Sequence, residues 1–215
     1  MDPVSERLKQ HYGNAFATHG ATARGVDWGR DDDVRLRYAK MLAVLDGFEG
    51  GSVPSLLDVG CGYGGLLDYA SASGVSLRYT GIDLCEPMVL EGRRRHPEAR
   101  FEVGDILDFG AACGYDAVVC NGILTQKLDT SIAEMNRFAG RLIPRLFALC
   151  RHAAAFNVMT TRVNFMAPNL YYRSPIEMLA YCIDQVTPRV RIDHAYPLFE
   201  YTVYLHRTGD GPGPA

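Results

Sequence analysis

The amino-acid sequence predicts an α/β domain, a largely parallel sheet with helices packed on both of its faces. Three observations predict it. Between residues 55 and 142, short apolar and β-branched runs alternate with stretches of helical periodicity, the pattern of same-direction strands joined by helices. The first of these runs ends in a glycine-rich turn, S-L-L-D-V-G-C-G-Y-G-G-L at 55–66, which feeds directly into a helix. The chain closes on two alternating runs, 189–193 and 200–207, joined by the bend at 194–199.

Taken in order, residues 5–30 mix a short helical pattern with Gly13, Gly20, Gly25 and Gly29, which predicts a helix followed by a flexible cover. From Asp33, Val34, Tyr38, Met41, Leu42 and Leu45 fall at helical spacing, and Asp31, Asp32 and Asp33 sit where they complement a helix dipole, as a cap rather than a metal site. The alternation then runs strand 55–59, helix 66–73, strand 77–83, helix 87–95, and strands 101–103 and 115–120. Ser131 and Glu134 have capping-box spacing before Ile132, Met135, Phe138 and Leu142, and Pro144 is expected to kink or divide that helix. A strand follows at 153–158. Ser174-Pro175-Ile176-Glu177 then combines an N-cap, a proline at the first helical position and an early acid. The aromatic segment between, 160–172, is long for a connection, and long connections are usually functional.

With 215 residues, 47% apolar and 22% charged, the composition suits one globular domain. The expected organisation is a single domain at 1–207, with a lid at 1–32 over a core at 33–207, and a disordered tail at 208–215. A formal charge of −3 without a concentrated basic face argues against nucleic-acid or anionic-membrane partners. The run Arg93, Arg94, Arg95, His96 reads as a solvated helix end. No stretch approaches membrane-span length and the N-terminal residues show no signal or transit pattern, so a cytoplasmic monomer or homodimer is expected. Cys61, Cys85, Cys113, Cys120, Cys150 and Cys182 form no C-x-x-C pair and no zinc-spaced cluster, so they read as reduced, buried thiols and no metal site is expected.

Gly60-Cys61-Gly62-Tyr63-Gly64-Gly65 satisfies both G-x-G-x-x-G and G-x-G-x-G, so the turn alone fits either a dinucleotide or a nucleoside ligand. Asp83, about twenty residues on at the end of the second strand, stands where a carboxylate accepts from a ribose diol. Asp105, ending the third strand, suits an adenine amino group, with Leu84 and Ile106 able to cover the two faces of the ring. The chain has three lysines, Lys9, Lys40 and Lys127, none four residues after a tyrosine, which disfavours a short-chain dehydrogenase.

The stretches L-L-D-V-G-C-G-Y-G, T-G-I-D-L, V-G-D-I-L-D-F and Y-D-A-V-V-C-N-G-I resemble, in order and spacing, the successive cofactor motifs of class I S-adenosylmethionine-dependent methyltransferases. The resemblance covers roughly 30–207. It implies a three-layer, Rossmann-like, doubly wound sheet of seven strands in the order 3-2-1-4-5-7-6, the seventh antiparallel. It also implies that Asp58 lies near the methionine ammonium, that Gly60, Cys61 and Gly62 pass beneath the cofactor, that Asp83 holds the ribose and Asp105 the adenine, with Leu84, Met88, Ile106 and Asn121 completing the site. C-N-G-I departs from the N/D-P-P-Y/F of the branch that methylates nucleic-acid amines, so the expected acceptor is a small molecule.

Methyl transfer from a sulfonium is an in-line displacement that needs alignment and exclusion of water more than dedicated catalysts. Tyr12 and Trp28 are the expected lid contacts, and Arg37 is the candidate for the cofactor carboxylate. Asn164, Tyr171 and Tyr172 are placed at the acceptor. His194 and Tyr171 are the candidate bases, with His19 beside them on pKa grounds alone. Two alternatives share the same cofactor motifs: chemistry on the cofactor's aminobutyrate arm, releasing methylthioadenosine, and non-catalytic cofactor binding.

Overall fold

The first strand, β1 (Ser55–Val59), is buried along its whole length, so each of its faces meets a hydrophobic layer. Side chains alternate between faces along a strand, and the alternation sorts the residues into two cores. Leu57 and Val59 join a cluster with Phe138, Leu142 and Leu146, while Leu56 joins one with Met41, Leu66 and Val89 on the opposite face. Val118 and Cys120 of β4 (Tyr115–Cys120) go with the first cluster, Ala117 and Val119 with the second.

The computed structural model describes residues 1–110 and 114–207; Cys113 and the expected tail at 208–215 lie outside the described residues. The remaining strands are β2 (Arg78–Asp83), β3 (Arg100–Val103), β5 (Cys150–Thr160), β6 (Tyr172–Arg173), β7 (Val190–Asp193) and β8 (Glu200–His206). The helices are α1 (Pro3–His19), α2 (Asp31–Leu42), α3 (Gly65–Ala72), α4 (Glu86–Arg95), α5 (Ile132–Leu149) and α6 (Pro175–Gln185). The sheet order is β3-β2-β1-β4-β5-β8-β7. Strands β1 to β5 pair in parallel, and β8 runs antiparallel to both β5 and β7. Setting β6 aside, this is the anticipated order 3-2-1-4-5-7-6. The unanticipated β6 adds two residues in parallel beside Met159 and Thr160, beyond the point where β4 ends.

The capping chemistry read from the sequence is present. Ser131 and Glu134 exchange both capping-box bonds, and Ser174 caps α6 through Glu177 N–H. Two expectations change. Asp31, Asp32 and Asp33 lie inside the first turn of α2, behind Arg30 at the cap position, where their carboxylates face the positive end of the helix. Helix α5 is not divided at Pro144. Proline removes the N–H that would bond the carbonyl four residues back, and that carbonyl, Gly140 O, accepts instead from Tyr181 Oη of α6 at 3.4 Å. In the basic run Arg93 and Arg94 are exposed, as expected of a helix end, but Arg93 also donates twice to Phe101 O (3.0 and 2.7 Å) and Arg95 pairs with Asp68 at 2.7 Å, tying α4 to β3 and α3.

Candidate functional site

The order of the sheet reverses between β1 and β4, so the connections leaving the two strands diverge and open a crevice beyond their carboxyl ends. A cleft of about 990 Å³, counting the space at its mouth, lies there. Its floor is the turn at 60–62; its sides are the ends of β2, β3 and β4; its roof comes from α1 and from Val26 and Trp28.

Gly60 (φ +75°) and Gly62 (φ +54°) take up left-handed conformations that let the backbone turn beneath the cleft. Gly60 N–H and Cys61 N–H both reach Ile82 O (2.9 and 3.2 Å), fixing the turn to β2. A Cβ at Gly60 would come within 2.9 Å of Ile123 Cδ1. Cys61 contributes backbone to the cleft while its sulfur packs against Gly81, in the core on the other side.

Three acids and one amide bring polar atoms to the cleft. Asp83 accepts Gly62 N–H on Oδ2 and Cys85 N–H on Oδ1, both at 2.8 Å, with Leu84 N–H also close, and its carboxylate retains acceptor capacity toward the cleft. Asp105 accepts Leu107 N–H on Oδ1, while its buried Oδ2 has no partner. Asn121 lines the cleft with both carboxamide atoms buried and partnerless. Buried polar atoms are paired in the great majority of cases, so these three open positions are free to pair with a polar group in the cleft.

Asp58 is buried and accepts Tyr79 Oη at 2.7 Å. Burial pushes its carboxyl up to about 7, against the relief of the Tyr79 bond; burial raises Asp83 as well. The folded chain therefore holds the Asp58 proton between about pH 4 and 7, where an unfolded chain has released it, so this group's contribution to stability falls as pH rises through that window. We expect the thermal midpoint of an Asp58→Asn variant, measured against the ligand-free wild type from pH 4 to pH 8, to gain progressively as pH rises; a constant difference would show that Asp58 ionises normally.

The cover is aromatic. Tyr12 lines the cleft, and burial, with Asp27 and Asp83 nearby, raises its hydroxyl well above the usual range, so it stays a hydrogen-bond donor. Trp28 stands over Gly122, where a Cβ would sit 3.4 Å from Cζ2, and packs against Tyr38 with ring centroids 5.7 Å apart.

Of the residues expected at the site, Asp58, Gly60, Cys61, Gly62, Asp83, Leu84, Met88, Asp105, Ile106 and Asn121 line this one cleft, with Tyr12 and Trp28 above them. Five do not. Arg37 is engaged by Glu200, its Nη2 2.8 Å from Oε2, and is not available to a ligand carboxylate. Tyr171 is 1% exposed in the core and donates to Asn136 Oδ1 at 2.7 Å. Tyr172 sits in β6, its hydroxyl accepting Ala167 N–H, and Asn164 is exposed outside the cleft. The loop bearing these residues is drawn back because Lys127 N–H and Leu128 N–H bond Asn169 O and Tyr171 N–H bonds Thr125 O. His194 is exposed and packs edge-on against Tyr201, away from the cleft; His19 is exposed at the end of α1. Conversely, Ser5, Leu8 and Lys9 line the cleft and were not anticipated. Together with Tyr12 they fall at i, i+3, i+4, i+7, a face of α1 that the sequence displayed.

An acid at the end of each of three successive strands, a glycine turn beneath and an aromatic cover above define a nucleoside-cofactor site of the doubly wound class. The family profile described as methyltransferase domain matches residues 56–140. A Mycobacterium tuberculosis protein described as "Putative methyltransferase Rv1506c" is 32% identical over 159 residues, covering 71% of this chain and 93% of the relative. A Streptomyces fradiae enzyme, dTDP-3-amino-3,6-dideoxy-alpha-D-glucopyranose N,N-dimethyltransferase, is 33% identical over 123 residues, 55% of this chain and 47% of that enzyme, so the match spans about half of its length. Among solved structures, magnesium protoporphyrin IX methyltransferase from Synechocystis with bound S-adenosylhomocysteine superposes with a TM-score of 0.64 at 16% identity, over 95% of this chain and 98% of that one. The chain belongs to the class I S-adenosylmethionine-dependent methyltransferases; it is an enzyme, and S-adenosylmethionine is its cofactor.

Proposed function

We propose that the protein transfers the methyl group of S-adenosylmethionine to a small-molecule acceptor held between α1 and α5. The observation that carries this reading is the set of open polar positions in one cleft: Asp83, Asp105 Oδ2 and both ends of the Asn121 carboxamide, beside apolar Leu84, Met88 and Ile106. That donor and acceptor set fits the nucleoside of the cofactor. Asp83 would hold the ribose diol, Asp105 the adenine amino group, and Asp58 the ammonium, whose charge compensates the burial that otherwise keeps this carboxyl protonated. When bound, the cofactor supplies a methyl group already activated by a sulfonium.

The chain's part is then to align and to dry the site. Leu8, Tyr12, Phe138 and Leu142 provide the acceptor wall, apolar with the Tyr12 hydroxyl as a donor. Tyr12 keeps its proton and His194 lies elsewhere, so proton removal is not assigned to either. The reading favours an acceptor whose nucleophile is unprotonated when it arrives, such as a neutral amine. The N-methylation named for the Streptomyces fradiae relative supports an acceptor of that kind.

Incubation with methyl-labelled S-adenosylmethionine and a cell extract should place the label in the small-molecule fraction, with S-adenosylhomocysteine as the spent cofactor. Label confined to protein or nucleic acid would overturn the acceptor class. Methylthioadenosine as the spent product would show arm transfer instead.

A further inference from the structure

We infer that Arg37 and Glu200 are positioning residues of the pocket: with Asn157 they hold the turn at Asn121 and Gly122 against the Trp28 ring. The inference rests on the cofactor reading above and goes beyond it, since none of the three residues lines the cleft.

A chain of hydrogen bonds leads from α2 to the tip of β4. Arg37 Nε reaches both Glu200 oxygens at 2.9 and 3.1 Å, and Nη2 reaches Oε2 at 2.8 Å. Glu200, 1% exposed at the start of β8, accepts Asn157 Nδ2 on Oε1 at 3.1 Å. Asn157, also 1% exposed, accepts Gly122 N–H on Oδ1 at 2.8 Å. A second route closes the ring: the Arg37 guanidinium carbon lies 5.3 Å from the Trp28 centroid, and Trp28 faces Gly122. One planar cation thus fastens the aromatic roof on one side and the polar turn on the other.

Burying a carboxylate is costly, and apolar replacements of buried pairs often stabilise a fold as well. This pair ends at a wall whose neighbouring side chain, Asn121, carries two unpartnered polar atoms. An amide with no protein partner points usefully into a pocket only if its backbone is held, and the network supplies that hold. The same helix carries an internal control one turn on, Lys40 with Asp193 at 2.8 Å, whose members do not line the cleft.

Trp28 is the only tryptophan of the chain, so its selectively excited fluorescence reports on this wall. In Arg37→Lys, which keeps the charge but loses the fork and the flat stacking surface, we expect a red-shifted Trp28 emission in the ligand-free protein. Affinity for S-adenosylhomocysteine, measured by calorimetry, should weaken about tenfold. Glu200→Gln should move both readouts in the same direction, and Lys40→Met should move neither. Wild-type spectra and affinity in Arg37→Lys overturn the inference even if Glu200→Gln fails to fold, and a changed spectrum with unchanged affinity overturns it too. If the wild type itself does not bind S-adenosylhomocysteine, the cofactor reading fails, and the ligand-free spectra alone decide whether the network holds the wall.

Discussion

An Asp83→Ala variant is expected to bind S-adenosylhomocysteine at least about a hundredfold more weakly than the wild type. A hydrogen bond to a charged acceptor contributes about 1.5–3 kcal/mol, and a ribose diol offers two to the open lone pairs of this carboxylate. Their joint loss, about 3–6 kcal/mol, corresponds to roughly two to four decades in affinity at about 1.4 kcal/mol per decade. A second consequence reinforces the first. Gly62 N–H and Cys85 N–H both donate to Asp83, so the variant takes the partner from these backbone donors and loosens the glycine turn. Titration calorimetry measures the affinity, and Asp83→Asn, which keeps one acceptor, should fall between the two. An affinity within about threefold of the wild type would remove Asp83 from the ribose role, since even one such bond is worth more than that.

The largest loss of stability is expected for Gly64→Ala. Gly64 caps α3 at φ +88°, a conformation that costs an L-residue about 1–2 kcal/mol. The new methyl would stand 2.8 Å from Phe101 Cζ and 3.2 Å from His96 Cδ2. Phe101 cannot yield, because it is 3% exposed, packs against Tyr79 at 5.5 Å between centroids, and fills the space where a Cβ on Gly92 would sit, 2.6 Å away. Overpacking of that kind costs about 1–3 kcal/mol, giving about 2–5 kcal/mol in all. Denaturant unfolding measures it, and Phe101→Leu in the Gly64→Ala background should restore part of the overpacking cost and none of the backbone cost. A loss below about 1 kcal/mol would mean that α3 and β3 separate more easily than their packing indicates. Because α3 starts immediately beyond the turn beneath the cleft, the same variant should weaken S-adenosylhomocysteine binding.

The cleft-lining half of the candidate site was legible because its geometry is local. Asp58, Asp83, Asp105 and Asn121 each lie at or just past the end of a strand, and ends of parallel strands collect on one edge of a sheet whatever the rest of the chain does. The acceptor half was misread where a judgement about a loop stood in for a contact. The aromatic content of 160–172 marks packing, as Tyr171 and its bond to Asn136 show, and nothing within that segment announces that Asn169 and Tyr171 pair with the backbone at Thr125, Lys127 and Leu128. Arg37 is instructive in a different way. Its fork was rightly read as made for a carboxylate, but the carboxylate is Glu200, 163 residues away along the chain.

Strand and helix periodicity, turn glycines and caps depend on neighbours a few residues apart, and by themselves they settled the α/β architecture, the strand ends and the acids that line the cleft of this chain. Pairings between distant segments leave no periodic trace. Tertiary packing alone decided that Ser5, Leu8 and Lys9 join Tyr12 in roofing the cleft, that Tyr181 takes the carbonyl freed by Pro144, and that Glu200 claims Arg37. The reason is that a buried polar group must find a partner from whatever the fold brings within reach, and that choice is made in space, not along the sequence.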